Sequence, residues 1–256
     1  MSTLQGKTYA VTGASKGFGL AIVNALLEQG ANVAMLARND EVLQAAASTI
    51  NSDRVLAICG DVANSAQMRE ALQTTKSHFG SFNGLINNAG LARPGNVEDL
   101  DQDDLILQVN TNFIGTVLCC QAAIPLLRGQ DNPRIINISS ASAWHYDEIY
   151  HLSIYASTKA AVERFTRDLR LELQTDGIGV TCIRPGAAAT NFADGWDMER
   201  VTKAITAWQN SGPTMDFGME QEHVADAVVY SLSYPPGVAV DLLEVRPNQP
   251  IPKLKL

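Results

Sequence analysis

Tyr155 and Lys159 stand four residues apart in Tyr-Ala-Ser-Thr-Lys. On a helix that spacing places the phenol and the ammonium on one face, one above the other. A phenol ionises near pH ~10 and is a poor acid or base at neutral pH. A cation beside it favours the phenolate and moves the pKa toward the working range. Just upstream, Arg134-Ile-Ile-Asn-Ile-Ser-Ser140 reads as a buried strand ending in hydroxyls. Ser140 would arrive there to hydrogen-bond a substrate oxygen. Ser142 competes for that role, and Ser140 is preferred because it directly ends the apolar strand. The pair's spacing also fits an ordinary amphipathic helix, so its weight depends on the surrounding elements.

A second constellation lies near the N-terminus, where Thr12-Gly13-Ala14-Ser15-Lys16-Gly17-Phe18-Gly19 separates a strand pattern from a helix pattern. Such a glycine-rich turn lets a pyrophosphate approach backbone N–H groups at a helix N-terminus. The next strand ends Leu36-Ala37-Arg38-Asn39. An acid at Ala37 would bind a ribose 2′-hydroxyl, whereas Arg38 beside it suits a 2′-phosphate. Lys16 supplies another cation. The pattern predicts NADP(H) in preference to NAD(H).

The elements that must position these groups follow from alternation. Strand candidates are 8–12, 31–37, 54–59, 84–88, 134–139, 179–183 and 239–245. Helix candidates are 17–29, 40–50, 65–79, 101–127, 154–175 and 220–233, with an irregular stretch before the last. Strands apolar on both faces, alternating with amphipathic helices, predict an α/β single-domain Rossmann fold: a doubly wound, seven-stranded parallel sheet. In such a sheet ligands bind beyond the carboxyl ends of the strands. Asp61, Asn87–Gly90, Ser139–Ser140 and Pro185–Gly186 all fall just after predicted strands.

The chain has 256 residues, 46% of them hydrophobic, and a net charge of −8. No fixed-period repeat or linker is visible, so one domain spanning 1–256 is expected. The negative charge argues against nucleic acid and anionic membranes as partners. The stretch Phe113–Leu127 is apolar but too short to cross a bilayer and reads as a buried helix. Cys59, Cys119, Cys120 and Cys182 lack metal-type spacing and predict reduced, buried, inert thiols in a cytoplasmic protein. No metal site is expected.

Together these residues resemble the short-chain dehydrogenase/reductase family from residue 6 to about 191. Thr12-Gly-x-x-x-Gly17-x-Gly19 is similar to its cofactor turn and Asp61-Val62 to its adenine-pocket pair. Asn87-Asn88-Ala89-Gly90 matches the motif after its fourth strand. Asn110, in Gln-Val-Asn-Thr-Asn, falls where the family's catalytic Asn sits, with Asn112 as a competitor. Ser140, Tyr155 and Lys159 match its Ser, Tyr and Lys. Pro185-Gly186-x-x-x-Thr190, which includes Ala188, matches the stretch that contacts the nicotinamide. The resemblance implies that Ser140 holds the substrate oxygen and that Tyr155 exchanges the proton. Lys159 would depress the Tyr155 pKa and hold the ribose, while Asn110 orders a relay water.

On the substrate side, Trp144, His145 and Tyr146, in the irregular loop Ala141–Ser153, predict part of a pocket wall together with Ser142 and Trp196. Residues 191–217 correspond to the family's lid. The ending Tyr234-Pro-Pro-Gly-Val-Ala-Val-Asp-Leu-Leu-Glu-Val-Arg is similar to a branch that oxidises serine and other 3-hydroxy acids. The pocket segments before the lid show no carboxylate-binding cation apart from histidines. A small uncharged carbonyl compound or secondary alcohol is therefore the leading small-molecule substrate, with a 3-hydroxy acid as alternative. A sugar-nucleotide epimerase or dehydratase fits less well because the chain lacks room for the usual extra domain. A catalytically silent cofactor-binding regulator is opposed by the intact Asn, Ser, Tyr and Lys. Apolar faces on 101–127 and 154–175 predict a homodimer or homotetramer.

Overall fold

A computed structural model describes residues 3–145, 150–188, 196–211 and 219–248. Seven strands form one parallel sheet: β1 Thr8–Thr12, β2 Asn32–Ala37, β3 Val55–Cys59, β4 Gly84–Asn87, β5 Arg134–Ile138, β6 Gly179–Pro185 and β7 Leu242–Val245. Their order is β3-β2-β1-β4-β5-β6-β7. The strand order reverses between β1 and β4, which opens a crevice at their carboxyl ends.

Alternate strand residues sort to opposite faces, as a period of two requires. Tyr9, Val11, Val33, Met35, Ile86, Ile136 and Ile183 enter one core with α1 (Gly17–Glu28), α2 (Asp40–Ile50) and α8 (Gln221–Leu232). Ala10, Ala34, Leu36, Leu85, Ile135 and Val180 enter the other with α3 (Ser65–Phe79), α5 (Gly115–Leu127) and α6 (Ser153–Glu172). Each core carries enough Leu, Ile, Val and Ala to make burial the main stabilising term.

The long helix expected over 101–127 is divided. α4 spans Gln102–Val109, a π-helical turn covers Asn110–Ile114, and α5 follows. Gly115 N–H reaches back five residues to the Asn110 carbonyl. A π turn inserts one extra residue and so changes which side chains face inward. By length and composition alone the continuous stretch Gln102–Leu127 could cross a membrane. Cys119, Cys120, Ala123 and Leu127 are nevertheless packed into the sheet's second core, so this is a core helix.

The thiols need one correction. Cys119, Cys120 and Cys182 are buried, and burial pushes all three pKa values up, to about 12 for Cys120 and Cys182. Cys59 is exposed because it ends β3, the sheet's edge strand.

Candidate active site

The crevice is built where β1 and β4 end. Thr12 Oγ1 accepts from the backbone N–H of both Asn88 and Ala89, each at 3.0 Å. Asn88 Nδ2 donates to the carbonyls of Thr12, at 3.0 Å, and Gly13, at 3.2 Å. These four bonds fix the glycine turn against the β4 loop. Gly13 has φ 64°, and a Cβ there would lie 2.9 Å from Ala89 Cα. A Cβ on Gly19 would overlap the Gly13 carbonyl oxygen, whereas Gly17, at φ 59°, faces open space. The turn is therefore close-packed behind and open in front.

Below it, Asn87 Nδ2 donates to Asn137 Oδ1 at 2.8 Å, and Asn137 Nδ2 donates to Thr166 Oγ1 at 2.9 Å. Asn87 and Asn137 are register partners on β4 and β5, so this polar rung ties two central strands to α6. Asn137 is bonded at both ends of its amide and so holds one packing arrangement, while Asn87 Oδ1 is buried with no partner among the described residues.

α1 begins after Lys16 with no side-chain cap and no acid in its first turn. By contrast, Asn39 caps α2 and Asn64 caps α3 through their side chains. An uncapped N-terminus leaves N–H donors and a partial positive charge for an anion. It opens onto a cavity of about 1020 Å³. Gly13, Ser15, Lys16, Gly17, Phe18, Arg38, Val62, Asn88, Ala89, Gly90, Pro185, Gly186 and Ala188 line the cavity, as expected for a dinucleotide. Asp61 does not. Its Oδ1 accepts from Ala63 N–H at 2.9 Å, so it shapes the turn beside the wall rather than the wall itself. Gly19 supports the turn from behind.

Ser140, Ser142, Tyr155 and Lys159 meet on the same cavity. Lys159 is buried, and its Nζ donates to the Ile138 carbonyl at 2.8 Å. Ser142 Oγ donates to Ser140 Oγ at 2.9 Å, and Tyr155 hydrogen-bonds Ser140. Ser140 is thus the hydroxyl next to the phenol, and Ser142 supports it. The expected lowering of the Tyr155 pKa is reversed. Burial pushes the phenol up to about 12, the Ser140 bond pulling it partly back, and burial brings the Lys159 ammonium down to about 8. Lys159 Nζ stands 5.8 Å from the centre of the Tyr155 ring, and loss of solvent is the largest cause of both shifts.

Asn110 does not reach this cluster; it is exposed on the helix surface. The π turn brings Asn112 inward instead. Its Oδ1 accepts from Leu91 N–H at 2.9 Å, and its Nδ2 donates to the Leu91 carbonyl at 2.8 Å and to Thr158 Oγ1 at 3.0 Å. A Cβ on Gly90 would lie 3.3 Å from Lys159 Nζ and 3.4 Å from Asn112 Oδ1, so the two groups converge there.

Two expected substrate contacts also point elsewhere. Trp144 is 61% exposed and lies over the Arg184 guanidinium at 5.6 Å. His145 Nε2 pairs with Glu244 Oε1 at 2.8 Å. Neither lines the cavity, whereas Trp196 does. The cause is a charged chain beneath the site. Arg184 forks onto Glu163 through Nε (2.8 Å) and Nη2 (2.6 Å), and its Nη1 reaches Glu244 Oε2 at 2.7 Å. Glu163 Oε1 also accepts from Ser139 Oγ at 2.9 Å. Loop residues 144 and 145 are drawn onto this network. Tyr146 and Thr190 lie outside the described residues. Of the expected lid, α7 (Met198–Ser211) is described, and it contributes Val201, Ala204, Ile205 and Trp208 to the wall. Arg93 lines the cavity as well, a cation not expected in these segments.

A family model for short chain dehydrogenases matches residues 7–200. The chain belongs to the short-chain dehydrogenase family. An uncharacterized oxidoreductase of Staphylococcus aureus (strain USA300) is 35% identical over 247 residues, covering 96% of this chain and 100% of that protein. Among solved structures, the 3-ketoacyl-(acyl-carrier-protein) reductase of Brucella melitensis complexed with NADH is 26% identical, with a TM-score of 0.81, and covers 96% of this chain and 98% of that one. Serine dehydrogenase complexed with NADP+ is 29% identical, with a TM-score of 0.81, and covers 97% and 98%. As a short-chain dehydrogenase, this protein is an oxidoreductase that acts with a nicotinamide cofactor. The open glycine cradle, the uncapped α1 N-terminus and the paired cations fit such a cofactor.

Proposed function

We propose that this short-chain dehydrogenase transfers hydride between NADP(H) and a small carbonyl or secondary alcohol substrate. The observation that carries the reading is one continuous cavity. Lys16 and Arg38 stand at the cradle end and Ser140, Tyr155 and Lys159 at the other. When bound, the nicotinamide supplies or accepts the hydride. Ser140 holds the substrate oxygen, and Tyr155, neutral at pH 7, donates the proton as a carbonyl is reduced. Lys159, still largely protonated at that pH, stabilises negative charge developing on the phenol oxygen. Asn112 holds the β4 loop and α6 together around them, taking the place expected for Asn110.

Preference for the phosphorylated cofactor rests on Ala37, which offers no carboxylate to a ribose 2′-hydroxyl, and on exposed Arg38 and Lys16 beside the cavity. The test is the ratio of kcat/KM with NADPH and NADH against a panel of ketones and aldehydes, followed at the NADPH absorbance. A preference for NADH would reject it. Arg38→Leu together with Ala37→Asp should move the ratio toward NADH. Tyr155→Phe should abolish turnover and retain NADPH binding, and substantial residual turnover would reject the proton role.

We also propose that the protein pairs with itself through the α4 side. Leu105, Ile106 and Ile114 are exposed there at 38%, 42% and 38%. Light scattering that found only a monomer would refute this.

A further inference from the structure

The cavity wall contains four cations, Lys16, Arg38, Arg93 and Lys159, and no aspartate or glutamate among the described residues. In a chain of net charge −8 that is a sorted distribution. Lys16 and Arg38 belong to the cofactor cradle and Lys159 to the catalytic cluster. Arg93 belongs to neither.

Arg93 follows β4 on a pinned loop. Leu91 is held through both its backbone groups by Asn112, and Arg93 N–H donates to Gln108 Oε1 at 3.1 Å. The guanidinium is fixed too. Its Nε lies 3.4 Å from Asp104 Oδ1, and Nη1 donates to the Ala92 carbonyl at 3.0 Å. Asp104 Oδ2 accepts in turn from Arg200 Nη1 at 3.0 Å, and Arg200 Nη2 donates to Asp101 at 2.7 Å. Arg200 is on α7, whose Val201, Ala204, Ile205 and Trp208 form the wall nearby. Arg93 therefore stands between α4 and α7, in the half of the cavity away from the cradle. A guanidinium carries five N–H donors, and the bonds above use Nε and Nη1. Among the described residues Nη2 makes no bond, and it stands in a wall otherwise made by Trp196, Val201, Ile205 and Trp208, where a fixed cation selects an anionic group.

We propose that Arg93 receives the carboxylate of an oxo-acid or hydroxy-acid substrate whose reacting carbon lies at Ser140 and Tyr155. The inference rests on the reading of the site as an NADP(H)-dependent dehydrogenase. In reduction the carbonyl carbon gains the hydride lost by the reduced nicotinamide, and the oxygen gains the Tyr155 proton. The carboxylate is unchanged and serves for recognition.

The experiment compares matched acids and methyl esters with NADPH: pyruvate, acetoacetate and levulinate against methyl pyruvate, methyl acetoacetate and methyl levulinate. The wild type should reduce the acid with higher kcat/KM than its ester in at least one pair. Arg93→Gln should lower the acid-to-ester ratio by about tenfold to a hundredfold, mainly through KM, and Arg93→Lys by less. Equal or better reduction of the esters in every pair would overturn the inference, as would equal losses for acid and ester in Arg93→Gln. A binding measurement needs neither turnover nor a folded variant. By calorimetry, the wild-type complex with NADP+ should bind butanoate more tightly than butanamide, and equal binding would overturn the inference. Tyr155-dependent turnover of esters without acid preference would leave the dehydrogenase reading standing and remove only the acid. Butanoate binding in a protein that reduces no carbonyl would do the opposite.

Discussion

Asn112 Nδ2 donates to Thr158 Oγ1 at 3.0 Å, which ties the π turn between α4 and α5 to the residue directly before Lys159. The same amide holds both backbone groups of Leu91, so one side chain joins the π turn, α6 and the β4 loop. Asn112→Ala should destabilise the fold by about 2–3 kcal/mol and lower kcat, since three buried bonds are left unmade. Asn110→Ala, at an exposed position, should change stability by no more than about 0.5 kcal/mol. Urea unfolding and steady-state rates on the two variants measure the contrast.

The catalytic pair has a worked pH signature. Lys159 is lowered from 10.5 to about 8, so between those values the unfolded chain holds a proton that the native chain has released. The unfolded state then binds more protons, and this group's contribution makes stability rise with pH across that window. Tyr155 is raised from 10.0 to about 12, so above 10 the sign reverses and stability falls with rising pH. Urea melts of wild type and Lys159→Met at pH 7 and pH 9.5 should show the wild type gaining relative to the variant at the higher pH. Reduction rates should decline as pH rises past about 8, where Lys159 loses its charge.

Gly13→Ala tests the cradle. The new Cβ would meet Ala89 Cα at 2.9 Å while the backbone stays at φ 64°. The expected loss is about 1–2 kcal/mol of stability, from backbone strain alone, together with weaker NADPH binding. Thermal unfolding and fluorescence titration of NADPH read the two effects.

The buried pair Arg184–Glu163 is exposed by only 5% and 9%. Glu163→Gln leaves a cation without its forked partner and should cost about 3–5 kcal/mol. Asp168→Asn breaks an i,i+4 pair exposed by 78% and 49%, and should cost less than about 1 kcal/mol. Denaturant midpoints of the two variants, compared side by side, test the difference.

The sheet and its strand-end loops were legible because alternation along a strand depends on local order alone. Tyr155 and Lys159 were legible for a similar reason, since a spacing of four has one meaning on a helix. Asn110 was misread because the π turn alters the helical phase, and two asparagines two residues apart then exchange faces. Trp144 and His145 were misread because what holds them is distant in sequence. Glu244 lies 99 residues from His145, and no local pattern announces that pairing. Arg93 was missed because its placement is set by Gln108 and Asp104 on α4, which no pattern within its own loop announces. Its place a few residues beyond the end of β4 was the available signal.

Arg184 and Glu244 are direct partners across the β6–β7 ladder. β7 is a four-residue edge strand with no fully buried side chain, so apolar packing indexes it weakly. A slip of one residue would place Leu243 or Val245 beside the guanidinium and take the Glu244 carboxylate from its Nη1, leaving only the fork onto Glu163. The ion pair thus works as a register lock, giving the last strand of the sheet a single alignment that its hydrophobic residues alone would leave open.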